Sequence, residues 1–296
     1  MIVPFPAGGL TDVPARVAAT MMSERVGQNL VVENKTGATG TIGAAAAARA
    51  TPDGYTLFAN SIADTQNVHF QTLTYNPIDD FAQIGWIVDG PPLVLMINGQ
   101  LPYKSVAELI AASKANPKAI SFGSSGPASA PGMAAAMLNA AAKTEIVIVP
   151  YRGSGDAARE VAGGAIQGTF AFFSQAKPLA DEGKARVIAV AAPARLAAWP
   201  DVPTFQELGY NIDFRGFVGL AAPIKTPKPI LDFLGQKLNE TVQSEVFKSR
   251  MAALGMTVPP VSENTPAKYE AFMRKETVRQ GELAAMAKAS SPEPPK

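Results

Sequence analysis

Two loops constrain this chain more than any other feature. Phe5-Pro6-Ala7-Gly8-Gly9-Leu10-Thr11-Asp12 and Phe122-Gly123-Ser124-Ser125-Gly126-Pro127-Ala128-Ser129 each follow a short apolar run and lead into a helical pattern. Small residues let backbone N–H groups converge on one point, and the helix that follows adds partial positive charge, so such a loop can hold a carboxylate or phosphate oxygen. In open α/β sheets, ligands sit at the carboxyl ends of strands. One loop of this kind alone reads first as a tight turn; two matched loops, far apart in the chain, point to a cleft with one wall in each of two lobes. Thr39-Gly40-Thr41 and Asn60-Ser61 end further segments with similar donors and are expected to line the same cleft.

The surrounding pattern is α/β. A strand at 2–5, a helix at 12–26 stopped by Gly27, and a strand at 30–33 make a β-α-β unit, followed by a helix from Thr41 through Arg49 and a strand at 55–60 after the Thr51-Pro52-Asp53-Gly54 turn. Parallel strands require crossovers of this type. The pattern restarts after Leu101-Pro102. Ser105 and Glu108 have capping-box spacing for a helix to about Lys114, then come strand 120–123, helix 130–142, strand 146–150, helix 156–161, strand 165–173, a short helix and strand 185–191. Proline-rich 223–229 precedes two long amphipathic segments, 230–254 and 267–288, expected to pack back on the first lobe. This predicts lobe 1 as 1–98 plus 224–296, lobe 2 as 99–223, and a tail from Ser290 with nothing apolar to bury.

Composition narrows the partners. With 26 Lys+Arg against 25 Asp+Glu there is no net field to draw the chain onto nucleic acid or an anionic membrane. Hydrophobic residues make up 47% of 296, enough for sizeable cores, yet the longest apolar runs are Ala-rich and far short of the roughly 20 residues that span a bilayer. The absence of cysteine removes disulfides and thiolate chemistry but leaves the compartment open. Met1 stands directly on what reads as the second half of a strand, so the natural precursor is expected to carry residues before it.

Catalytic motifs are weak. His69 is the single histidine and has no Ser or Asp partner in a motif. Ser174-Gln175-Ala176-Lys177 fits S-x-x-K, but its companion motifs are missing and Pro178 follows at once. Gly37, Gly40 and Gly43 do not make a dinucleotide fingerprint, no phosphate-binding loop motif occurs, and no metal-ligand cluster stands out. One enzyme reading is retained as the alternative: Gly123-Ser124-Ser125-Gly126 with Ser129 looks like part of the Gly-Ser-rich signature of Ser-Ser-Lys amidases, although Pro127 and Ala128 break that pattern. No catalytic residue, metal or cofactor is expected.

Several motifs, in order and over nearly the whole chain, resemble the Bug family of solute receptors that serve tripartite tricarboxylate transporters. They are Val3-Pro4-Phe5-Pro6-Ala7-Gly8-Gly9 with Thr11-Asp12, Val32-Glu33-Asn34-Lys35 with Gly37-Ala38-Thr39-Gly40-Thr41, Pro52-Asp53-Gly54-Tyr55, Tyr75-Asn76-Pro77-Ile78-Asp79-Asp80-Phe81, Val149-Pro150-Tyr151-Arg152-Gly153 and Pro200-Asp201-Val202-Pro203-Thr204. The resemblance implies a secreted, periplasmic receptor with a two-lobed flytrap fold, each lobe a mixed, mostly parallel sheet flanked by helices. It also implies a small organic carboxylate as ligand, permease subunits of the transporter as partners, and action as a single copy. Carried over position by position, the ligand-facing residues are Phe5, Ala7, Gly8, Gly9, Thr11, Thr39, Ser61, Ser124, Ser125, Ala128, Ser129 and Arg152. A sensor that hands its closed form to a signalling partner is the other non-enzymatic alternative.

The chain departs from many relatives at Phe170-Ala171-Phe172-Phe173-Ser174, where an acidic residue is missing, and at Pro131-Gly132. If the first of these segments faces the ligand, Phe172 and Phe173 give an apolar wall that favours an aromatic or aliphatic carboxylate, a dicarboxylate included, over an amino acid. Both phenylalanines as core residues is the competing reading. Ligand-stabilised closure of the lobes is the expected mechanism.

Overall fold

The computed structural model of the chain describes residues 1–124, 126, 129–151 and 153–290, the last five as backbone only. Its elements in chain order are β1 (Ile2–Val3), α1 (Asp12–Val26), β2 (Glu33–Asn34), a 3-10 turn (Ala38–Gly40), α2 (Thr41–Ala48), β3 (Phe58–Ser61), α3 (Ile62–Asn67), β4 (Phe81–Asn98), α4 (Val106–Ala115), β5 (Ser121–Ser124), α5 (Ala130–Ala142), β6 (Val147–Pro150), α6 (Ser154–Gly163), β7 (Gly168–Phe172), α7 (Phe173–Asp181), β8 (Ala185–Ala191), β9 (Arg215–Pro223), α8 (Lys228–Val242), α9 (Glu245–Ala252) and α10 (Pro266–Ser290). The chain divides into two compact units, 1–90 with 216–282, and 91–215 with the residues from 283 on.

In the first unit β1 lies between β2 and β3 and is parallel to both, Ile2 standing opposite Glu33 and Phe58. Strand β9 joins β3 antiparallel, with Ser61 opposite Val218. Helices α1 and α8 pack on one another, and Ala15, Ala18, Met22 and Leu238 close over Val3, Leu57, Ile84 and Leu220. Ala44 and Ala47 of α2 meet Ile2, Phe58 and Phe81, with the two phenylalanine rings stacked 5.0 Å apart. Each fully buried large apolar side chain in such a cluster contributes about 1.5–3 kcal/mol. Because β1, β2 and β3 run parallel, the segments that follow them emerge at one sheet edge.

In the second unit β4 is flanked by β7 and β8, antiparallel to both, with Leu93 opposite Phe172 and Ala191. Beyond β7 comes β5 and then β6, all three parallel. Phe122, Leu138, Phe170 and Phe205 make the core, with Phe170 stacked on Phe205 at 5.6 Å, and Leu283 is buried in the same cluster. Here too the ends of β5, β6 and β7 share an edge.

The structure departs from the sequence reading in three places. Strands β4 and β9 and helix α3 are additional. Gly90-Pro91-Pro92 argues against a strand, since proline donates nothing to a ladder, and β4 passes from one unit to the other at that point. The single helix expected at 230–254 is two helices, because Ser244 Oγ accepts the Phe247 N–H at 3.3 Å and starts α9 afresh. The unit boundaries fall earlier along β4 and β9 than the expected 98/99 and 223/224, and the end of α10 groups with the second unit. Of the tail, Ser290 closes α10 and 291–296 lie outside the described residues.

Candidate functional site

The loop between β1 and α1 is braced from within by Asp12, the first residue of α1, which is 2% exposed. Its carboxylate accepts the Gly8 N–H at 2.9 Å, the Asn34 amide at 2.8 Å and the Arg16 guanidinium at 2.7 and 3.2 Å. Asn34 also donates to the Phe5 carbonyl at 2.8 Å, so β2 fixes both the loop and its brace. Burial pushes the Asp12 carboxyl up, but the hydrogen bonds from Arg16, Asn34 and Gly8 outweigh it and hold the group below the usual range. Gly8 has φ +78°, the left-handed conformation that turns its N–H back onto Asp12.

The bracing refines the expected role of the loop. The N–H groups of Gly8 and Gly9 are spent inside it, on Asp12 and on the Pro6 carbonyl at 3.2 Å. Within residues 5–12 the N–H groups of Phe5, Ala7, Leu10, Thr11 and Asp12 are left without an intramolecular acceptor, those of Ala7, Leu10 and Thr11 lying between the spent glycine donors and the head of α1. Phe5 is half-buried, Ala7, Gly8 and Leu10 are exposed, and Thr11 is buried at the head of α1.

Two further segments reach the same edge of the first unit. Ala38 and Thr39 hold φ of 46° and 56°, a left-handed pair of non-glycine residues, and Asn67 of α3 secures them by donating to the Thr39 carbonyl at 3.1 Å. For a β-branched residue this conformation is strained, and such strain persists where the surrounding structure over-determines it. Ser61 ends β3, is 4% exposed, and its Oγ has no protein partner.

At the strand ends of the second unit, Ser124 is fully buried and its Oγ accepts the Gly126 N–H at 3.2 Å. Ser129 is the N-cap of α5: its hydroxyl donates to the Gly126 carbonyl at 2.6 Å and accepts the Gly132 N–H at 3.2 Å. Ser125, Ala128 and Arg152 lie outside the described residues. The two phenylalanines at the end of β7 part company. Phe173 is 6% exposed and packs on Trp199 with ring centroids 5.2 Å apart, whereas Phe172 is only partly buried. Gln175 ties this end together, accepting the Phe172 N–H at 3.2 Å and donating to Ser154 Oγ at 2.8 Å.

Asp12, Asn34 and Gln175 are the positioning residues that the sequence reading did not single out. The Asp12–Arg16 pair has the i,i+4 spacing of a helical ion pair and was legible in that respect; nothing in the sequence marks Gln175. The side chains behind the weak catalytic motifs are engaged elsewhere. His69 Nε2 lies 2.7 Å from the Thr277 carbonyl, Lys177 pairs with Asp181 at 2.7 Å, and the Ser129 hydroxyl serves its cap. Among the described residues no helix is long and apolar enough to cross a membrane.

With this geometry in place, comparisons with known proteins are specific. The family model described as tripartite tricarboxylate transporter family receptor matches residues 14–288. BugT of Bordetella pertussis is 32% identical over 94% of this chain and 86% of its own. Among solved structures, MatC from Rhodopseudomonas palustris with bound malate is similar at a TM-score of 0.77, with 28% identity over 96% of this chain and 97% of that one. A second R. palustris structure, with adipate, gives 0.78 and 28% over 97% and 96%.

Proposed function

The chain belongs to the tripartite tricarboxylate transporter receptor family, and from that premise we propose that it captures a small organic carboxylate outside the cytoplasm and delivers it to the permease subunits of such a transporter. The observation that carries this reading is the braced β1–α1 loop, which keeps the Ala7, Leu10 and Thr11 N–H groups clear of internal acceptors. Preorganised N–H donors at the head of a 15-residue helix stabilise a carboxylate without reorganising. The β5–α5 loop and Phe172 are proposed to contact the remainder of the ligand. Similarity to proteins solved with malate and adipate favours a ligand with a carboxylate at each end, and a half-buried Phe172 suits an aliphatic or aromatic body.

A thermal-shift series with malate, adipate, benzoate, an amino acid and an amide tests the proposal, since a ligand that binds only the native state raises the melting temperature by mass action. A carboxylate is expected to stabilise the protein and be recovered unchanged. Turnover of the amide, or stabilisation by none of the carboxylates, overturns the reading. Delivery is tested separately, by loss of uptake of the same carboxylate in cells that lack the receptor.

A further inference from the structure

The first unit buries an acid for which the proposed carboxylate grip has no use. Asp64, on the first turn of α3, is 3% exposed. Its Oδ2 accepts the Ser61 N–H at 2.8 Å, and among the described residues no cation pairs with it. Polar side chains on and beside the end of β3 are incompletely partnered. Tyr269 donates to Asn60 at 2.7 Å and Asn60 to Gln83 at 2.8 Å, but Ser61 Oγ, Tyr75 Oη and Gln83 Nε2 have no protein partner, and all three side chains are more than nine-tenths buried.

The ionisable neighbours are few. Helix α3 packs on β3, α2 and the 3-10 turn, none of which carries a titratable side chain. The Tyr75 and Tyr269 phenols are held protonated far above neutrality, first by burial and then by the Asp64 charge itself. On α10, Glu276 is engaged by Arg279 and Gln280, and the His69 ring lies against the Thr277 carbonyl. An ionised Asp64 is therefore an unpaired buried charge, at one peptide bond's reach from Ser61.

We infer that Asp64 makes anion capture proton-coupled: a ligand carboxylate that comes to Ser61 binds together with one proton, taken from solvent onto the Asp64 carboxylate. The inference rests on the reading of Ser61 as ligand-facing. Two anions that both approach Ser61, with no cation beside Asp64 among the described residues, repel strongly, and protonating one of them removes the repulsion. No bond in the ligand changes. Burial, only partly offset by the Ser61 and Asp64 N–H groups, already pushes the Asp64 carboxyl up to about 7, so the proton is exchangeable near neutral pH.

Isothermal titration of the purified protein with malate, adipate and benzoate, from about pH 6.5 to 8.5 and in two buffers of different ionisation enthalpy, reads the coupling directly. The expected result is a Kd that weakens with rising pH, approaching about tenfold per pH unit, with proton uptake rising toward one. Asp64→Asn should bind with a pH-independent Kd and no uptake. A wild-type protein that binds with a flat Kd and equal heats in both buffers overturns the coupling and leaves the receptor reading intact. Failure of all three ligands to bind the folded protein overturns both. An Asp64→Asn protein that keeps the pH dependence assigns the proton elsewhere, and if that variant does not fold, the wild-type buffer series still decides.

Discussion

The Gly8 N–H meets the Asp12 carboxylate at 2.9 Å, and this bond helps sort the donors of the β1–α1 loop into those spent inside and those without an internal acceptor. Its consequence is that the glycines shape the loop while the N–H groups of Ala7, Leu10 and Thr11 stay clear of internal acceptors.

Asp12→Ala leaves the Gly8 N–H and the Asn34 amide without their acceptor and frees Arg16, so a loss of about 2–4 kcal/mol is expected in denaturant unfolding, with carboxylate binding lost. Asp12→Asn keeps an acceptor and should cost less. The depressed Asp12 carboxyl contributes stability that is present above its unfolded value of 3.8 and is lost as pH falls through its lowered native value. Acid unfolding below about pH 4 should therefore be shallower in Asp12→Asn. A cost under about 0.5 kcal/mol for the alanine variant would show that the brace is idle.

The adjacent phenylalanines should behave oppositely. Phe173→Ala empties a core position against Trp199 and is expected to cost about 3–5 kcal/mol while leaving ligand preference unchanged. Phe172→Ala, at a half-exposed site, should cost about 1–2 kcal/mol and alter the relative affinities of benzoate and adipate. Titration of the two variants with both ligands separates the roles, and an unchanged preference in Phe172→Ala removes that residue from the site.

Much of the architecture was legible because local signals agreed with the fold. The Asp12–Val26 helix stops at Gly27 and the Ala130–Ala142 helix starts from the Ser129 cap, as those residue types require, and the loop at 5–12 follows the end of β1. What escaped was set by tertiary context. Strand β4 carries Gly90-Pro91-Pro92 because it changes units there, and α3 is only six residues long, too short for a periodic pattern. In the candidate site, residue types announced the loops, but the fixing of Asp12 by Asn34 and the separation of Phe172 from Phe173 depend on contacts with distant segments, Trp199 among them.

Gly219 on β9 shows how closely the first unit is packed beside the buried polar cluster. A Cβ at this position would overlap the Tyr269 phenol, which is fully buried and bonded to Asn60. Gly219→Ala is expected to destabilise by about 3 kcal/mol, at the upper end of overpacking costs. Tyr269→Phe, which removes only the hydroxyl and leaves Asn60 short of a donor, should cost about 1–2 kcal/mol. Near-equal midpoints for Gly219→Ala and wild type in a denaturant titration would show that the ring can move aside.

Asp64 also predicts an unusual pH dependence of stability. A carboxyl raised from 3.8 in the unfolded chain to about 7 in the native state leaves the native state holding more protons between those values. Stability from this group therefore falls as pH rises from about 4 to 7 and levels off above, the reverse of a salt-bridged aspartate, by up to roughly 4 kcal/mol. Asp64→Asn mimics the protonated acid, keeps an acceptor for the Ser61 N–H, and supplies donors to a cluster in which Ser61 Oγ and Tyr75 Oη lack partners. The variant should match wild type near pH 5 and exceed it at pH 8, measured as urea midpoints without ligand. A wild type that gains stability over the same interval, or a variant weaker than it at pH 8, would mean that the Asp64 charge is compensated in the native state.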